Sequence, residues 1–188
     1  KKNDEIKNMG LYRQFIHYMK VNCRGCKCFN QFKKGEINLK GDNVFVGYYK
    51  NKKLYNKVVK NGWFNTGDIA YLKDNKYWFL DRSKDLIIKG GINIVPMEIE
   101  EVIYKIKGII ECCVVGKEEQ IQGEEVAVVI KKEKKVNKSL IIKNIKNYCK
   151  ISLSNYKTPM YFYFWNEIPK TASKKIKRKE VREIINQK

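Results

Sequence analysis

Short apolar and β-branched runs, separated by glycine and asparagine, dominate the first half of the chain. They predict strands at residues 37–39, 44–46 and 77–80, and strand signals bounded in this way favour antiparallel pairing. Residues 1–34 are polar, rich in lysine and without a regular period, so an irregular segment is predicted there. The first half is therefore predicted to be β-rich, with little core of its own.

The second half alternates strands with helices. Gly90-Gly91 is typical of a tight hairpin turn, because both positions accept positive φ angles. Pro96 is expected to start one helix, and Asn137 or Ser139 to cap another. The pattern predicts strands at residues 86–89, 92–95, 109–115, 125–130 and 161–165, and a closing helix at 176–185. The fold class is therefore predicted as α+β, a hairpin plus a mixed sheet with helices on one side.

Composition narrows the class of protein. The chain has 188 residues, 43% of them hydrophobic, which is typical of a globular protein. No run approaches the ~20 apolar residues that a membrane span needs, and the first ten residues lack a signal-peptide core. We expect a cytoplasmic protein, and peripheral membrane association of the complete protein is left open.

The formal net charge of +20 raises the question of nucleic-acid binding. Only five of the forty basic residues are arginine, whereas proteins that read bases rely on arginine forks. Asparagine is also frequent, so a general Lys/Asn bias explains the charge better than a nucleic-acid partner. A basic module that stacks bases on the aromatic run 161–165 is kept as an alternative from a different class.

The six cysteines do not indicate a metal site. Cys23, Cys26 and Cys28, with His17 nearby, contain enough ligands for zinc, but a second spaced Cys/His pair is missing from the sequence. Cys112 and Cys113 fall in an apolar strand pattern, where small buried thiols are ordinary. We predict no metal ligands in the chain and reduced thiols, as in the cytosol.

Four motifs, in a fixed order, resemble a known family. They are a GEI…GY strand pair at 35–48, GWFNTGD at 62–68, DRSKD with GINIVPMEIE over 81–100, and PKTASKKIKR at 169–178. Together they resemble the C-terminal part of an AMP-forming acyl-CoA synthetase, in the adenylate-forming superfamily of acyl- and aryl-CoA ligases, luciferases and peptide-synthetase adenylation domains. The resemblance covers roughly residues 35–185.

The resemblance implies two domains and a two-step reaction. Residues 1–81 would end a large domain, and residues 82–188 would form a small mobile domain. A carboxylic acid, expected to be a fatty or other apolar acid, would react with ATP to give acyl-AMP, and the acyl group would then pass to coenzyme A. ATP, coenzyme A and Mg²⁺ are the implied cofactors, with Mg²⁺ held mainly by ATP and the upstream region. The implied partners are the acid and the upstream large domain.

The resemblance also assigns roles to the nucleotide side of the site. Asp68 would hold the ribose hydroxyls of ATP, and Arg82 would lie on the ribose and phosphate side of the nucleotide. Lys84 falls at the hinge, where the backbone turns so that the small domain presents different faces to the large one. A turn-capping role for Asp68 and a strand-end ion pair for Arg82 are the structural alternatives.

Two further loops complete the implied site. Gly90 and Gly91 would let the hairpin backbone approach the pantetheine of coenzyme A, and Asn93 would add a polar contact. Lys175 would be the adenylation lysine, a mobile cation that neutralises charge on the carboxylate and the α-phosphate. The glycine that normally precedes this lysine is Lys174 here, which limits positive φ in the loop and could let Lys174 share the role.

Two further alternatives stay open alongside the coenzyme A ligase and the basic nucleic-acid-binding module. The acyl acceptor could be a carrier-protein thiol, and the fold could be kept for regulation or scaffolding without chemistry. The chain contains no Ser/Thr/Gly-rich phosphate loop and no YGxTE-like segment, which the family places upstream. We therefore expect this fragment alone to be inactive.

Overall fold

The computed structural model describes residues 18–22, 33–42, 44–73 and 76–187. The chain forms two compact units, Lys1–Lys84 and Asp85–Lys188. The division falls after Lys84, whereas the sequence placed it after Asp81, because strand pairing continues as far as Arg82. His17, Cys23, Cys26 and Cys28, whose spacing does not predict a zinc site, lie outside the described residues.

The first unit is an antiparallel sheet with one short helix. Strand β4 pairs with β2, β3 and β5, and β1 pairs with the other edge of β2. The elements are β1 (Tyr18–Asn22), β2 (Lys33–Lys40), α1 (Lys52–Val58), β3 (Val59–Lys60), β4 (Trp63–Lys73) and β5 (Lys76–Arg82). The predicted antiparallel, β-rich character is confirmed. The prediction of an irregular segment over 1–34 was wrong at β1, which forms a regular ladder with β2.

The predicted strand at 44–46 is absent, since the backbone there forms bends rather than a ladder. Phe45 packs edge-on against Tyr48, Tyr55 and Phe64, with ring centroids 4.9, 5.6 and 5.2 Å apart. Val46 is 97% exposed. The apolar run therefore anchors a loop through one aromatic ring, and the alternation that suggested a strand does not correspond to a buried face.

The second unit follows a 3₁₀ turn at Ser83–Asp85. Its elements are β6 (Ile87–Lys89), β7 (Ile92–Ile94), α2 (Pro96–Ile103), β8 (Ile109–Glu119), β9 (Gly123–Lys132), α3 (Lys138–Ser152), β10 (Tyr161–Phe164) and α4 (Arg178–Asn186). Strand β9 is central: β8 runs antiparallel along one edge, β10 runs parallel on the other edge, and β6 joins at the start of β9. This mixed sheet with helices confirms the predicted α+β class.

Helices cover both faces of this sheet, so the expectation of helices on one side was wrong. Helices α2 and α3 bury one apolar cluster against the strands, including Ile99, Ile103 and Ile145. Helix α4 buries a second cluster on the opposite side through Val181 and Ile185. Because β8 is apolar from Cys112 to Val115 and β9 from Val126 to Ile130, consecutive apolar side chains point to both faces of the sheet, and both faces need a cover.

Local signals explain the helix starts. Pro96 occupies the first turn of α2, where its missing N–H costs nothing. The side chain of Asn137 accepts a hydrogen bond from the Ser139 amide, so Asn137 is the cap of α3. No helix among the described residues is long and apolar enough to cross a membrane.

Candidate functional site

The Asp68 carboxylate and the Arg82 guanidinium meet across the β4–β5 ladder. The two residues are register partners, and Nε of Arg82 lies 3.1 Å from Oδ1 of Asp68. The Arg82 side chain is 55% exposed, so the pair lies at the surface of the first unit. The ion-pair alternative for Arg82 is therefore present, with Asp68 as its partner rather than Asp81 or Asp85. A surface pair of this kind adds little stability by itself.

A bulge in β4 presents Asp68. Residues 66–68 oppose the single β2 residue Ile37, since Glu36 pairs with Ile69 while Asn38 pairs with Asn65. These polar residues stay within the single strand Trp63–Lys73. Gly67 allows the bulge because its φ is +72°, a conformation that side chains disfavour.

Side chains fix the shape of this bulge. The Thr66 hydroxyl donates to the Ile37 carbonyl (3.0 Å) and accepts from the Asp68 amide (3.0 Å). The Gly67 amide donates to Asn65, whose side-chain amide donates in turn to Glu36. The polar residues of the motif thus hold the backbone, which leaves the Asp68 carboxylate to face Arg82.

Lys84 lies in the 3₁₀ turn, exposed, at the last position of the first unit. The sequence predicted a hinge at this residue, and the chain divides into its two units directly after it. Hinge motion itself stays a prediction.

The Gly90-Gly91 turn closes the predicted hairpin of β6 and β7. Its φ angles are +53° and +79°, as a two-residue hairpin turn requires, and open space surrounds both α-carbons. Asn93 is exposed on β7 opposite Ile88. The hairpin is therefore confirmed, and its tip can approach another molecule closely.

A second, basic hairpin presents Lys175. Lys170 bridges to Ile176, and Thr171 and Lys175 are linked by an amide-to-carbonyl bond of 2.8 Å. The Thr171 hydroxyl also lies 2.9 Å from the Ser173 hydroxyl and accepts from the Lys175 amide. These bonds make residues 170–176, which we call the basic hairpin, a defined turn rather than a loose tail.

Lys174 has a φ of +60°, the left-handed conformation that glycine adopts most easily. The lysine therefore does not prevent the turn, although the sequence suggested that it would limit positive φ there. Lys174 and Lys175 are both exposed, and neither forms an ion pair with the described part of the chain.

The surrounding cations, in contrast, have acidic partners. Lys170 pairs with Glu111 on β8, and Lys177 pairs with Glu180 at 3.0 Å. Arg178 binds Glu100 through two nitrogens, one of them 3.1 Å from Oε2, and also donates to the Val114 carbonyl at 2.7 Å. Both ends of the basic hairpin are thus attached to the sheet.

Sequence reasoning missed Glu100 and Glu111 as partners. They lie 78 and 59 residues from Arg178 and Lys170, and nothing local in the sequence links charges over such separations. The only available signal was the resemblance itself, which placed Arg178 in the same motif as Lys175.

The aromatic residues 161–164 form strand β10, and their rings are divided between the two faces of the sheet. Tyr161 and Tyr163 pack against one core cluster, Phe162 and Phe164 against the other. Lysine ammonium groups lie 5.4–5.7 Å from the four ring centroids. The rings are divided between two faces and already covered, so the described structure offers no support for the nucleic-acid alternative.

No group of three or more metal-ligating side chains occurs among the described residues. Cys112, Cys113 and Cys149 are buried thiols outside any disulfide. Burial, followed by the charge of Glu100, raises the pKa of the Cys112 thiol, and burial raises that of Cys149 to about 11. These thiols are core side chains rather than nucleophiles.

The geometry agrees with a family match. Residues 98–175, which end at Lys175, match the AMP-binding enzyme C-terminal domain. The chain carries this domain. The resemblance to the C-terminal part of the adenylate-forming enzymes is thereby confirmed.

Relatives of this AMP-binding C-terminal domain are acid–CoA ligases. The chain is 39% identical over 157 residues to the 2-succinylbenzoate–CoA ligase of Bacillus cytotoxicus, covering 82% of this chain and 32% of that protein. The O-succinylbenzoate coenzyme A synthetase of Bacillus subtilis, in complex with AMP, superposes with a TM-score of 0.73 at 32% identity, over 88% of this chain and 33% of that one. ATP-bound MatB from Rhodopseudomonas palustris superposes with a TM-score of 0.78 at 27% sequence identity, over 90% of this chain and 34% of that one.

The chain spans about a third of the length of the curated relatives it matches. These relatives are named for an aryl acid, so the comparisons support the acid–CoA ligase expectation and give no support to a fatty acid as the substrate.

Proposed function

We propose that this chain supplies the small domain, and the adjoining end of the large domain, of an AMP-forming acid–CoA ligase. Such an enzyme joins a carboxylic acid to ATP, releases pyrophosphate and transfers the acyl group from acyl-AMP to the thiol of coenzyme A. The rest of the active site would come from the two thirds of the relatives' length that the chain does not span.

The observation that carries this proposal is the state of Lys175. In a chain so rich in lysine, an exposed lysine is ordinarily a solvated surface group. Here the cations at both ends of the basic hairpin are attached to acidic side chains, whereas Lys175 is exposed and outside any ion pair with the described residues. A cation presented in this way is suited to a separate anion, such as a carboxylate beside an α-phosphate.

The other residues have matching tasks. Asp68 offers acceptor oxygens for ribose hydroxyls, and Arg82 holds that carboxylate in place and adds positive charge for the phosphates. The Gly90-Gly91 tip would lie along the pantetheine in the second step, with Asn93 beside it. Mg²⁺ would reach the site on the phosphates of ATP, since the described residues form no metal site. Lys84 would be the hinge between the two steps.

The substrate to test first is 2-succinylbenzoate. The relatives with this name share 35–39% identity with the chain. Fatty acids form the comparison group, because the family also includes ligases for apolar acids.

The test is acid-dependent ATP–pyrophosphate exchange on the complete polypeptide, with Lys175→Ala and Lys174→Ala compared with the parent. We expect Lys175→Ala to lose about a thousandfold in exchange rate, because it removes the charge that stabilises the adenylation transition state. Lys174→Ala should stay within a few-fold. Loss confined to Lys174→Ala would mean that Lys174 is the adenylation lysine, and a parent without exchange on any acid would refute the ligase.

Consumption of free coenzyme A decides the acceptor. Thioester formation with coenzyme A supports the proposal. Exchange without coenzyme A consumption would favour the carrier-protein thiol, and exchange by the 188-residue chain alone would show that the large domain is not required.

A further inference from the structure

Glu124 connects the glycine hairpin to helix α4. It lies in β9 with 9% of its surface exposed. Its Oε2 accepts a hydrogen bond of 2.7 Å from the Ile88 amide on β6, and its Oε1 pairs with the guanidinium of Arg182 on α4. A buried carboxylate needs such partners, so both bonds are costly to remove.

The neighbouring strand leaves room for this carboxylate. A Cβ placed on Gly116 of β8 would lie 2.7 Å from Oε1 and Cδ of Glu124, closer than non-bonded contacts of real Cβ atoms. Any side chain at Gly116 would therefore push Glu124 away from the Ile88 amide and Arg182. The absence of a side chain at Gly116 therefore allows the Glu124 carboxylate to occupy its place between β6 and α4.

The glycine hairpin has few other attachments to the central strand. Its β6 strand meets β9 in a single register pair, Lys89 with Gly123, and the Gly90 amide donates to the Gln122 carbonyl at 2.8 Å. Lys89 also pairs with Glu125. Ile87 and Ile94 anchor the base of the hairpin in the core. Two adjacent carboxylates of β9, Glu124 and Glu125, add side-chain bonds that orient the part nearer its tip.

The basic hairpin is held by different groups. Arg178 binds Glu100 and the Val114 carbonyl, and Lys170 binds Glu111. None of these contacts involves Glu124. The two loops with proposed chemistry can therefore be loosened separately.

We propose that Glu124 is a positioning residue for acyl transfer to the thiol: it holds the Gly90-Gly91 tip in place through the Ile88 amide and Arg182. The proposal rests on the ligase function above and assigns a residue to its second step. Without the carboxylate, the Ile88 amide loses its acceptor and the tip swings on the remaining β6–β9 contacts. Adenylation, which uses Lys175 on the separately held basic hairpin, continues.

The test uses Glu124→Gln and Glu124→Ala in the complete polypeptide. Glutamine keeps an acceptor for the Ile88 amide and loses the charge facing Arg182, whereas alanine removes both. Glu183→Gln is the matched control, since it removes a carboxylate from the exposed pair with Lys179 on the same helix as Arg182. Each variant is measured for pyrophosphate exchange, for single-turnover transfer from pre-formed acyl-AMP to coenzyme A, and for amide hydrogen exchange.

We expect Glu124→Ala to slow transfer about a hundredfold, the scale of a misplacement of ~1 Å, with pyrophosphate exchange within about threefold of the parent. The transfer rate of Glu124→Gln should lie between those of the parent and Glu124→Ala. The transfer rate of Glu183→Gln should match that of the parent. Amide exchange should accelerate at Ile88 and Gly90 in Glu124→Ala and stay unchanged in β8 and α3.

Equal loss in both half-reactions, or unchanged transfer, would overturn the proposal. Unchanged amide exchange at Ile88 would also overturn it. A parent without pyrophosphate exchange would instead refute the ligase function, and the amide data would then still show whether Glu124 holds the hairpin.

Discussion

At the scale of single residues, Lys174 shows how a turn can retain its geometry with an unfavourable side chain. The Lys174 amide donates to the Thr171 carbonyl at 2.9 Å, and Thr171 in turn donates to Lys175. This bonding pattern places residue 174 in the left-handed region whatever its side chain. The geometry of the basic hairpin therefore comes from its backbone bonds, and the lysine adds strain to it.

Lys174→Gly should stabilise the basic hairpin. Left-handed backbone costs a side-chain-bearing residue about 1–2 kcal/mol, and glycine returns about 0.5–1 kcal/mol through its freedom in the unfolded chain. The expected net gain is about 0.5–1 kcal/mol, seen as slower amide exchange at Thr171 and a higher unfolding midpoint in urea. Lys143→Gly, at an exposed position inside helix α3, is the control and should lose stability, because glycine is unfavourable in a right-handed helix. If Lys174→Gly left stability unchanged or lowered it, the left-handed backbone at Lys174 would not be strained.

At the scale of elements, the outer edge of β8 is closed by side chains. The Tyr104 hydroxyl bonds both the amide and the carbonyl of Cys112, each at 3.2 Å. The Glu100 carboxylate accepts a hydrogen bond from the Val114 amide, and Arg178 donates one to the Val114 carbonyl. The Asn186 side chain accepts from the Glu118 amide. Capped in this way, the edge offers few backbone groups for pairing with another chain.

Tyr104→Phe should destabilise the second unit by about 0.5–1.5 kcal/mol, since both Cys112 groups lose their partner. Partial burial is the main cause that raises the pKa of Tyr104 to about 12. The unfolded chain releases this proton from about pH 10, so the contribution is complete below pH 10 and is lost as pH rises towards 12. Urea titrations from pH 7 to 11.5 should show a decline that is shallower in Tyr104→Phe.

Tyr148→Phe, on the exposed side of α3, is the control for this titration. It should leave both the stability and its pH dependence unchanged. Equal pH dependence in the parent and in Tyr104→Phe would show that the hydroxyl bonds of Tyr104 do not hold its proton.

At the scale of the whole molecule, the two units differ greatly in core. In the described part of the first unit, the buried apolar side chains are Ile69 and Ala70. The second unit buries two clusters, one on each face of its sheet. Apolar burial is the main favourable term in folding, so the second unit should be the more stable one.

We expect unfolding in two transitions, with the first unit opening first. Trp63 and Trp78 report on the first unit, and Trp165 packs against the second core cluster. Trp165→Phe therefore leaves tryptophan fluorescence from the first unit alone. The double variant Trp63→Phe, Trp78→Phe leaves tryptophan fluorescence from the second unit alone. A stability difference of about 2 kcal/mol would separate the urea midpoints by roughly 1 M. Coincident transitions for both variants would show that the units unfold together.

The sequence by itself determined what depends on neighbours along the chain. The Gly90-Gly91 turn, the Asn137 cap and the start of α2 at Pro96 follow from φ preferences and from hydrogen bonds over a few residues. The four motifs also supplied the candidate site residues, because each motif is a short contiguous run. The α+β class followed from the change of period between the two halves.

Tertiary structure alone decided what depends on distant residues. Glu124 with Ile88, Glu100 with Arg178 and Glu111 with Lys170 are 36, 78 and 59 positions apart, and many other charges along the chain were equally plausible partners. The cover of the second sheet face by α4 likewise depended on where the chain returned. Periodicity reports which side of an element is apolar, whereas only packing selects the surface or charge that meets it.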